Sequence, residues 1–315
     1  MLSTSPFQGE AWSVRPAAEP HAIALAMQAR TTWKQLLGAG EPLLLPCAHD
    51  ALSARLIERA GFRAYSIGGY ALVGARHALP DIGLVGYGEM SAGVRDIMAA
   101  SSLPVLIDCD DGYGDVKNVA HTVEGYEAMG ASAIFIEDQR APKRCGHMAG
   151  KSVIAADAMA RKLRAAVAAR RSTELFIIAR TDARAAHGLD EALRRAEIYL
   201  DAGADGLFIE APQSADELAR IGQSFQGVPQ LANMLVGGGR TPILPPAELF
   251  RLGFAMIAYP TSLIFAVAHA MAKTLADLRE GRLAGAEEAM SFDAFKDITA
   301  LAQWSEIEQR FDPGR

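Results

Sequence analysis

The stretch that runs from Ala133-Ile134-Phe135-Ile136 through Val153–Arg171 to Leu175-Phe176-Ile177-Ile178-Ala179 decides the fold. Both ends are apolar at every position, as parallel strands covered on two faces are, whereas a one-sided sheet would alternate. Between them Met159, Leu163 and Val167 recur every four residues, while Arg161, Lys162, Arg164 and Arg170 fall elsewhere on the helical wheel. The unit reads strand, helix, strand. Working outward, Leu43–Cys47, Ala64–Ile67, Val105–Ile107, Gly206–Ile209, Gln230–Ala232 and Phe254–Ala258 bring the apolar runs to eight. Gly61, Gly130 and Gly203 stand where helices end in a left-handed residue before the next strand. Eight such repeats predict a (β/α)8 TIM-type barrel, with a doubly wound open sheet as the alternative.

The barrel is expected over residues 21–282. Residues 1–20, with Pro6, Pro16 and Pro20, read as a flexible arm, and Ala22–Leu37 as a helix able to plug the bottom of the barrel. Residues 283–315 read as a helical extension with Phe295, Ile298, Leu301, Trp304, Ile307 and Phe311 on one side of a single helix. That stripe either packs on the barrel or, if eight barrel helices already cover the strands, is left for a subunit contact. Half of the 315 residues are hydrophobic, and a chain this long can bury about 75% of its unfolded surface, which excludes wholesale disorder. A net charge of −6 argues against a nucleic-acid partner. No apolar run approaches the roughly 20 residues needed to span a bilayer, and no secretion signal opens the chain. Three cysteines without zinc spacing fit a reduced, cytoplasmic protein.

Charged or amide groups close five successive strands: Asp108-Cys109-Asp110-Asp111, Glu137-Asp138-Gln139, Arg180-Thr181-Asp182, Glu210 and Asn233. In a barrel these ends form one layer, where chemistry collects. Asp108 and Asp110, two apart, point the same way if the chain is extended there, and Glu137 comes from the next strand. Oxygen ligands of this kind suit a hard cation, Mg²⁺ (or Mn²⁺) before Ca²⁺; an ion pair with Arg180 is the plainer use of any one carboxylate. Asp111, before Gly112 and Gly114, reads as a turn residue.

Arg140, Lys143, Arg144, His147 and Lys151 surround Cys145, and Gly146 and Gly150 offer the freedom of a closing lid. Cys47 and Cys109, in or beside apolar strands, read as packing residues. Basic groups beside a metal call for a small anionic substrate. A metal and Arg180 can stabilise an enolate to which a thiol gives a proton, which describes retro-aldol cleavage of a 2-hydroxy acid. Cationic neighbours would favour the thiolate, whereas an acid must hold its proton. A non-catalytic barrel that binds an anion at Gly237–Gly239 is the reading from another class.

Asp50-Ala51-Leu52-Ser53-Ala54-Arg55, Leu79-Pro80-Asp81, Asp108–Gly114, Glu137-Asp138-Gln139, Lys143-Arg144-Cys145-Gly146-His147, Ile178–Asp182 and Asn233-Met234 appear in an order that resembles the isocitrate lyase / phosphoenolpyruvate mutase superfamily over nearly the whole chain. Lys-Arg-Cys-Gly-His looks like its lyase branch, which holds the 2,3-dimethylmalate lyases, oxaloacetate hydrolases and 2-methylisocitrate lyases. The resemblance implies Mg²⁺ held by Asp108 and, directly or through water, by Asp81, Asp110 and Glu137. It implies Cys145 as the proton donor. Tyr65, Gly68, Gly69, Arg180, Glu210 and Asn233 would hold or activate substrate, with Tyr65 the candidate base and Lys143, Arg144, Gly146 and His147 binding from the lid. It also implies a homotetramer whose subunits exchange a C-terminal helix. Met148-Ala149-Gly150 and Phe265 stand where 2-methylisocitrate lyases carry cations, so a dicarboxylate such as a 2,3-dialkylmalate, or oxaloacetate, fits better than a tricarboxylate. Oxaloacetate hydrolysis to oxalate and acetate is the alternative reaction.

Overall fold

The computed structural model describes residues 31–283, 289–312 and 314. The arm expected over residues 1–20, and the start of the helix expected from Ala22, lie outside the described residues. Each apolar run becomes a strand: β1 (Leu43–Pro46), β2 (Tyr65–Ile67), β3 (Val105–Asp108), β4 (Ala133–Glu137), β5 (Phe176–Thr181), β6 (Gly206–Ile209), β7 (Gln230–Asn233) and β8 (Phe254–Tyr259). All neighbours pair in parallel, and β1 lies beside β8. A single bridge between Cys47 and Ser66 joins β1 to β2, so the sheet forms a nearly closed barrel.

The two-residue strand period divides the core into two layers. Leu43, Leu45, Leu106, Phe135, Ile178, Phe208 and Met256 fill the interior, joined by Trp33 and Leu36 of α1 (Trp33–Leu37). Tyr65, Ile67, Ile107, Ile134, Ile136, Ile177 and Leu207 point outward into the surrounding helices. Those are α2 (Ala51–Arg59), α3 (Gly69–His77), α4 (Tyr87–Met98), α5 (Val116–Met129), α6 (Ala156–Ala169), α7 (Ala183–His187), α8 (Leu189–Asp201), α9 (Ala215–Ser224) and α10 (Pro246–Leu252). On α6 the expected stripe is present, with Met159 and Leu163 buried. Lys162, read from the wheel as a surface residue, is buried instead: its ammonium donates to the Asp111 carbonyl at 2.7 Å while its stem packs inward.

The C-terminal part departs from expectation. α11 (Ser262–Arg279), which should be the last covering helix, buries none of its residues, and Val267, Met271, Leu275 and Leu278 are exposed. The single helix expected beyond it is two, α12 (Phe292–Ile298) and α13 (Leu301–Phe311), because Ala300 takes a left-handed φ of 57° and breaks the run. Arg55 donates to the Ile298 carbonyl at 3.1 Å and Arg59 pairs with Asp297, which ties α12 to α2. Among the described residues, no helix is long and apolar enough to cross a membrane.

Helix spacing around the barrel is tightest at Gly222, where a Cβ would stand 1.6 Å from the Leu252 carbonyl oxygen. A backbone atom cannot swing aside as a side-chain end can. Gly222→Ala should therefore push α9 off α10 and cost about 3 kcal/mol in urea unfolding; a loss under about 0.5 kcal/mol would show the contact to be loose.

Candidate active site

The ends of β2 to β7 deliver the polar layer to one mouth of the barrel. Asp108 closes β3, Glu137 closes β4, and Arg180 sits one residue from the end of β5. Glu210 follows β6 and Asn233 ends β7. They surround a cavity also lined by Gly68, Gly69, Asp81, Lys143, Arg144, Cys145, Gly146 and His147. Strand pairing sets Glu137 beside Arg180, and the two are ion-paired at 3.1 Å.

Arg180 organises one half. Its guanidinium reaches Asp182 at 3.0 Å and Glu210 at 3.4 Å as well as Glu137, and lies over the rings of Phe135 and Phe208, 5.7 and 5.1 Å from their centroids. Burial would lower its proton affinity, but the three carboxylates raise it well above the ordinary value. Glu210 shows the converse: burial works against its charge, yet Arg180 and then His147 hold it down to about 2. His147 Nδ1 accepts the Arg240 main-chain N–H at 3.0 Å, so the proton of a neutral ring sits on Nε2 and donates to Glu210 at 3.2 Å.

The other half is acidic. The Gly69 N–H donates to Asp108 at 3.2 Å, and the Asp108 carboxylate also accepts the Asp110 N–H at 2.9 Å. Asp110 is not extended: it takes φ 49°, a left-handed turn that Asp tolerates. The two carboxylates converge through this turn rather than through the strand pleat. Both lie 3.5 Å from the position a Gly69 Cβ would take. Asp111, as expected, serves the turn by accepting the Tyr113 N–H at 2.9 Å.

Lys143 occupies the middle of this acid set. Its ammonium pairs with Asp110 at 2.5 Å and with Asp81. Burial alone would lower its proton affinity; Asp110 and Asp81 outweigh that and lift it far above the ordinary value. Around that cation, and among the described residues, no three His, Cys, Asp or Glu groups stand together as a metal-holding set. The donor chemistry nonetheless suits a hard divalent ion. Asp81, Asp108, Asp110, Glu137, Asp182 and Glu210 are all buried against the three cations Lys143, Lys151 and Arg180. Glu137 Oε1 is buried with no hydrogen-bond partner, and burial raises the Glu137 carboxyl far above its usual range. One further cation among Asp81, Asp108, Asp110 and Glu137 would relieve both.

Cys145 is half-buried on the loop between β4 and α6, and its main-chain N–H donates to the Asp81 carbonyl at 3.1 Å. Burial pushes the thiol up to about 11, and Arg180 only weakly opposes it. The loop is not the electropositive setting its composition suggests. Arg140 and Arg144 face solvent, while Lys143 and Lys151 are taken up by carboxylates. The thiol therefore keeps its proton near neutrality. Gly146 has a steric reason rather than a hinge's: a Cβ there would stand 2.4 Å from Glu210 and 2.6 Å from the Arg180 guanidinium.

Tyr65 is not brought to the cavity. It packs in the outer layer, because the residue before inward-facing Ser66 must point outward. Ser66, Tyr70 and Cys47 line the cavity instead, and Cys47 Sγ accepts the Gly68 N–H at 3.2 Å. Asp110 lies behind the lining and reaches it through Lys143. Gln139 clamps the loop main chain, donating to the Arg144 carbonyl at 2.8 Å and accepting its N–H at 3.0 Å. Its place at a strand end was the available signal; Tyr70, the second residue of α3, carried none.

A closed parallel barrel with acids, an arginine and a loop-borne thiol at the C-terminal mouth defines an enzyme of the carbon–carbon lyase type. Residues 33–279 match the phosphoenolpyruvate phosphomutase family. A 2,3-dimethylmalate lyase of Eubacterium barkeri is 40% identical over 291 residues, covering 92% of this chain and 100% of that protein. The solved structure of oxaloacetate acetylhydrolase in complex with the inhibitor 3,3-difluorooxalacetate superposes with a TM-score of 0.83 at 29% identity, covering 88% of this chain and 94% of that one. A phosphonopyruvate hydrolase complex with oxalate and Mg²⁺ superposes with a TM-score of 0.78 at 29% identity, covering 88% and 96%. The chain belongs to the phosphoenolpyruvate mutase / isocitrate lyase superfamily.

Lys143 is the internal counter-ion of the acid set, so its removal exposes the surplus charge. Lys143→Met should destabilise the metal-free protein by about 3–5 kcal/mol, and added Mg²⁺ should raise its melting temperature more than that of the wild type. Equal Mg²⁺-induced shifts, followed by differential scanning fluorimetry, would show that metal and ammonium do not compete for the same carboxylates.

Proposed function

We propose that this enzyme cleaves a 2-hydroxy acid of the 2,3-dialkylmalate or 2-methylisocitrate type to a 2-keto acid, such as pyruvate, and a saturated carboxylate. The observation that carries the reading is that Cys145, its thiol pushed up by burial, lines one cavity with Arg180 and a set of buried acids. The 2-hydroxyl proton leaves through water to solvent, from which the Cys145 sulfur is later reprotonated, and the oxygen becomes the keto group as the C2–C3 bond breaks. The electron pair passes to C3 and is delocalised into the adjoining carboxylate as an enolate. Arg180 and His147 face that charge, and Cys145 delivers the proton that completes the saturated acid. A substrate carboxylate would rest against Gly68 and Gly69, with Lys143, Arg144, Gly146, Glu210 and Asn233 around it. A Mg²⁺ or Mn²⁺ ion held by Asp108, Asp110, Asp81 and Glu137 would supply Lewis-acid stabilisation of the substrate oxygens.

The distal end of the cavity favours a dicarboxylate. Phe265 lies behind the lining, meeting cavity-lining Tyr70 edge-on with ring centroids 6.0 Å apart, and a Gly237 Cβ would lie 3.1 Å from the Phe265 ring. Leu235 and Pro260 add to this side of the lining. An apolar wall accepts alkyl substituents and offers no partner to a third carboxylate. The match to oxaloacetate acetylhydrolase favours a second reading, hydrolysis of oxaloacetate to oxalate and acetate. The exposed apolar residues of α11, with Trp304 and Phe311 of α13, support a homotetramer that exchanges C-terminal helices. A cytoplasmic location goes with this reading.

Keto-acid release from a panel of 2-alkylmalates, 2-methylisocitrate and isocitrate, with oxalate release from oxaloacetate as the control reaction, tests the assignment. Activity on a dialkylmalate should vanish with EDTA and fall at least about 10³-fold in Cys145→Ser. Silence across the panel, or a fully active Cys145→Ser, removes it.

Metal binding should also depend on pH. Burial, with Lys143 opposing it, raises the Asp110 carboxyl from 3.8 to about 7 in the folded chain. A raised carboxyl stabilises the metal-free fold below its unfolded value, and that contribution is lost as pH climbs through the folded one. Thermal stability in EDTA should therefore drop between about pH 4 and 7, while Mg²⁺ affinity rises over the same interval as Asp110 gives up its proton. A pH-independent Mg²⁺ affinity by calorimetry would exclude Asp110 from the ligand set.

A further inference from the structure

The loop that carries Cys145 leaves and rejoins the barrel through a short ladder. Arg140 donates to the Ser152 carbonyl at 2.8 Å, Ile154 donates to the Asp138 carbonyl at 2.9 Å, and Gln139 bridges to Val153. That ladder fixes the base of the loop but not its tip, where Cys145 and Gly146 lie. The tip is met from the returning arm by Lys151. Its ammonium donates to the Gly146 carbonyl and to Asp182 Oδ1 at 2.5 Å, with the Lys151 side chain 1% and that of Asp182 0% exposed.

We propose that Lys151 is a positioning residue that clasps the Cys145 loop shut, by bridging the Gly146 main chain to Asp182 on the rigid end of β5. It rests on the lyase reading for what the closed thiol does, but the clasp is a property of the fold. Neither Lys151 nor Asp182 lines the cavity, so neither touches substrate. Asp182 is a firm post. Its N–H donates to Asp138 at 2.9 Å, and Asp138 also accepts from Thr181 at 2.8 Å, Tyr199 at 2.7 Å and Arg195 at 3.0 Å. The same Asp182 carboxylate receives Arg180 at 3.0 Å. One anion thus holds the guanidinium at the cavity and, through Lys151, the loop that carries the thiol. A dry cation bridging a carbonyl and a carboxylate has few alternative geometries, which suits a latch that must close to one position.

The test uses the intact protein and iodoacetamide near pH 8, with alkylation of Cys145, Cys47 and Cys109 resolved by mass spectrometry. Lys151→Met removes the ammonium while Asp182 keeps Arg180, and Lys151→Gln supplies a second variant that lacks the charge but keeps a donor. Cys145 should react about tenfold faster or more in both, with Cys47 and Cys109 unchanged. On any substrate the wild type turns over, kcat should fall about tenfold while KM moves less than about threefold. An unchanged Cys145 rate in a folded variant, or a parallel rise at all three thiols, overturns the clasp. Faster Cys145 alkylation with no turnover by the wild type removes the lyase reading and leaves the clasp standing.

Discussion

The mouth of this barrel depends on one buried guanidinium. Arg180 meets Glu137, Asp182 and Glu210 from three successive strand ends, in a place where each charge alone would be costly to bury. Its pairing draws β4, β5 and β6 to a common level and spends two of the three acids on orientation rather than on chemistry. Loss of Arg180 would take from Glu137 its ion-pair partner at 3.1 Å and leave Asp182 and Glu210 to Lys151 and His147. The acid half of the site is arranged the opposite way: Lys143 answers Asp81 and Asp110 only in part, and the remaining charge is what a divalent ion would take up.

The same burial that makes the charges expensive keeps the thiol neutral. Four basic residues flank Cys145 in sequence, yet two point to solvent and two are neutralised, so the site presents hydrogen rather than sulfur anion. A proton donor fits an enolate that needs protonation, and a nucleophile would not. Gly146 completes the arrangement, since only a residue without a Cβ lets the loop rest on Glu210 and Arg180. The loop, the thiol and the arginine thus share one buried set of contacts.

Much of this was legible from residue order. Runs apolar on both faces suit buried parallel strands, so eight of them with helices between pointed to a barrel ahead of an open sheet, and in a barrel the polar residues that end those runs share a layer. The extension was less legible. A stripe of Phe295, Ile298, Leu301, Trp304, Ile307 and Phe311 looks continuous on a wheel, but periodicity does not report the left-handed turn at Ala300. Likewise α11 has ample apolar residues for a covering helix, and nothing in its sequence says that it leaves the barrel uncovered.

At the site, the sequence by itself determined which chemical groups arrive: carboxylates, an arginine, a thiol and glycines, all in register with strand ends. Tertiary structure decided what each one does, because partners come from segments far apart in the chain. Tyr65 and Ser66 are neighbours whose faces the strand pleat separates, which sends the phenol into the outer core and the serine to the cavity. Lys143 and Lys151 look alike in a basic loop, but one sits among the acids and the other ties down the loop. Those roles follow from burial and pairing distance, which no local pattern encodes.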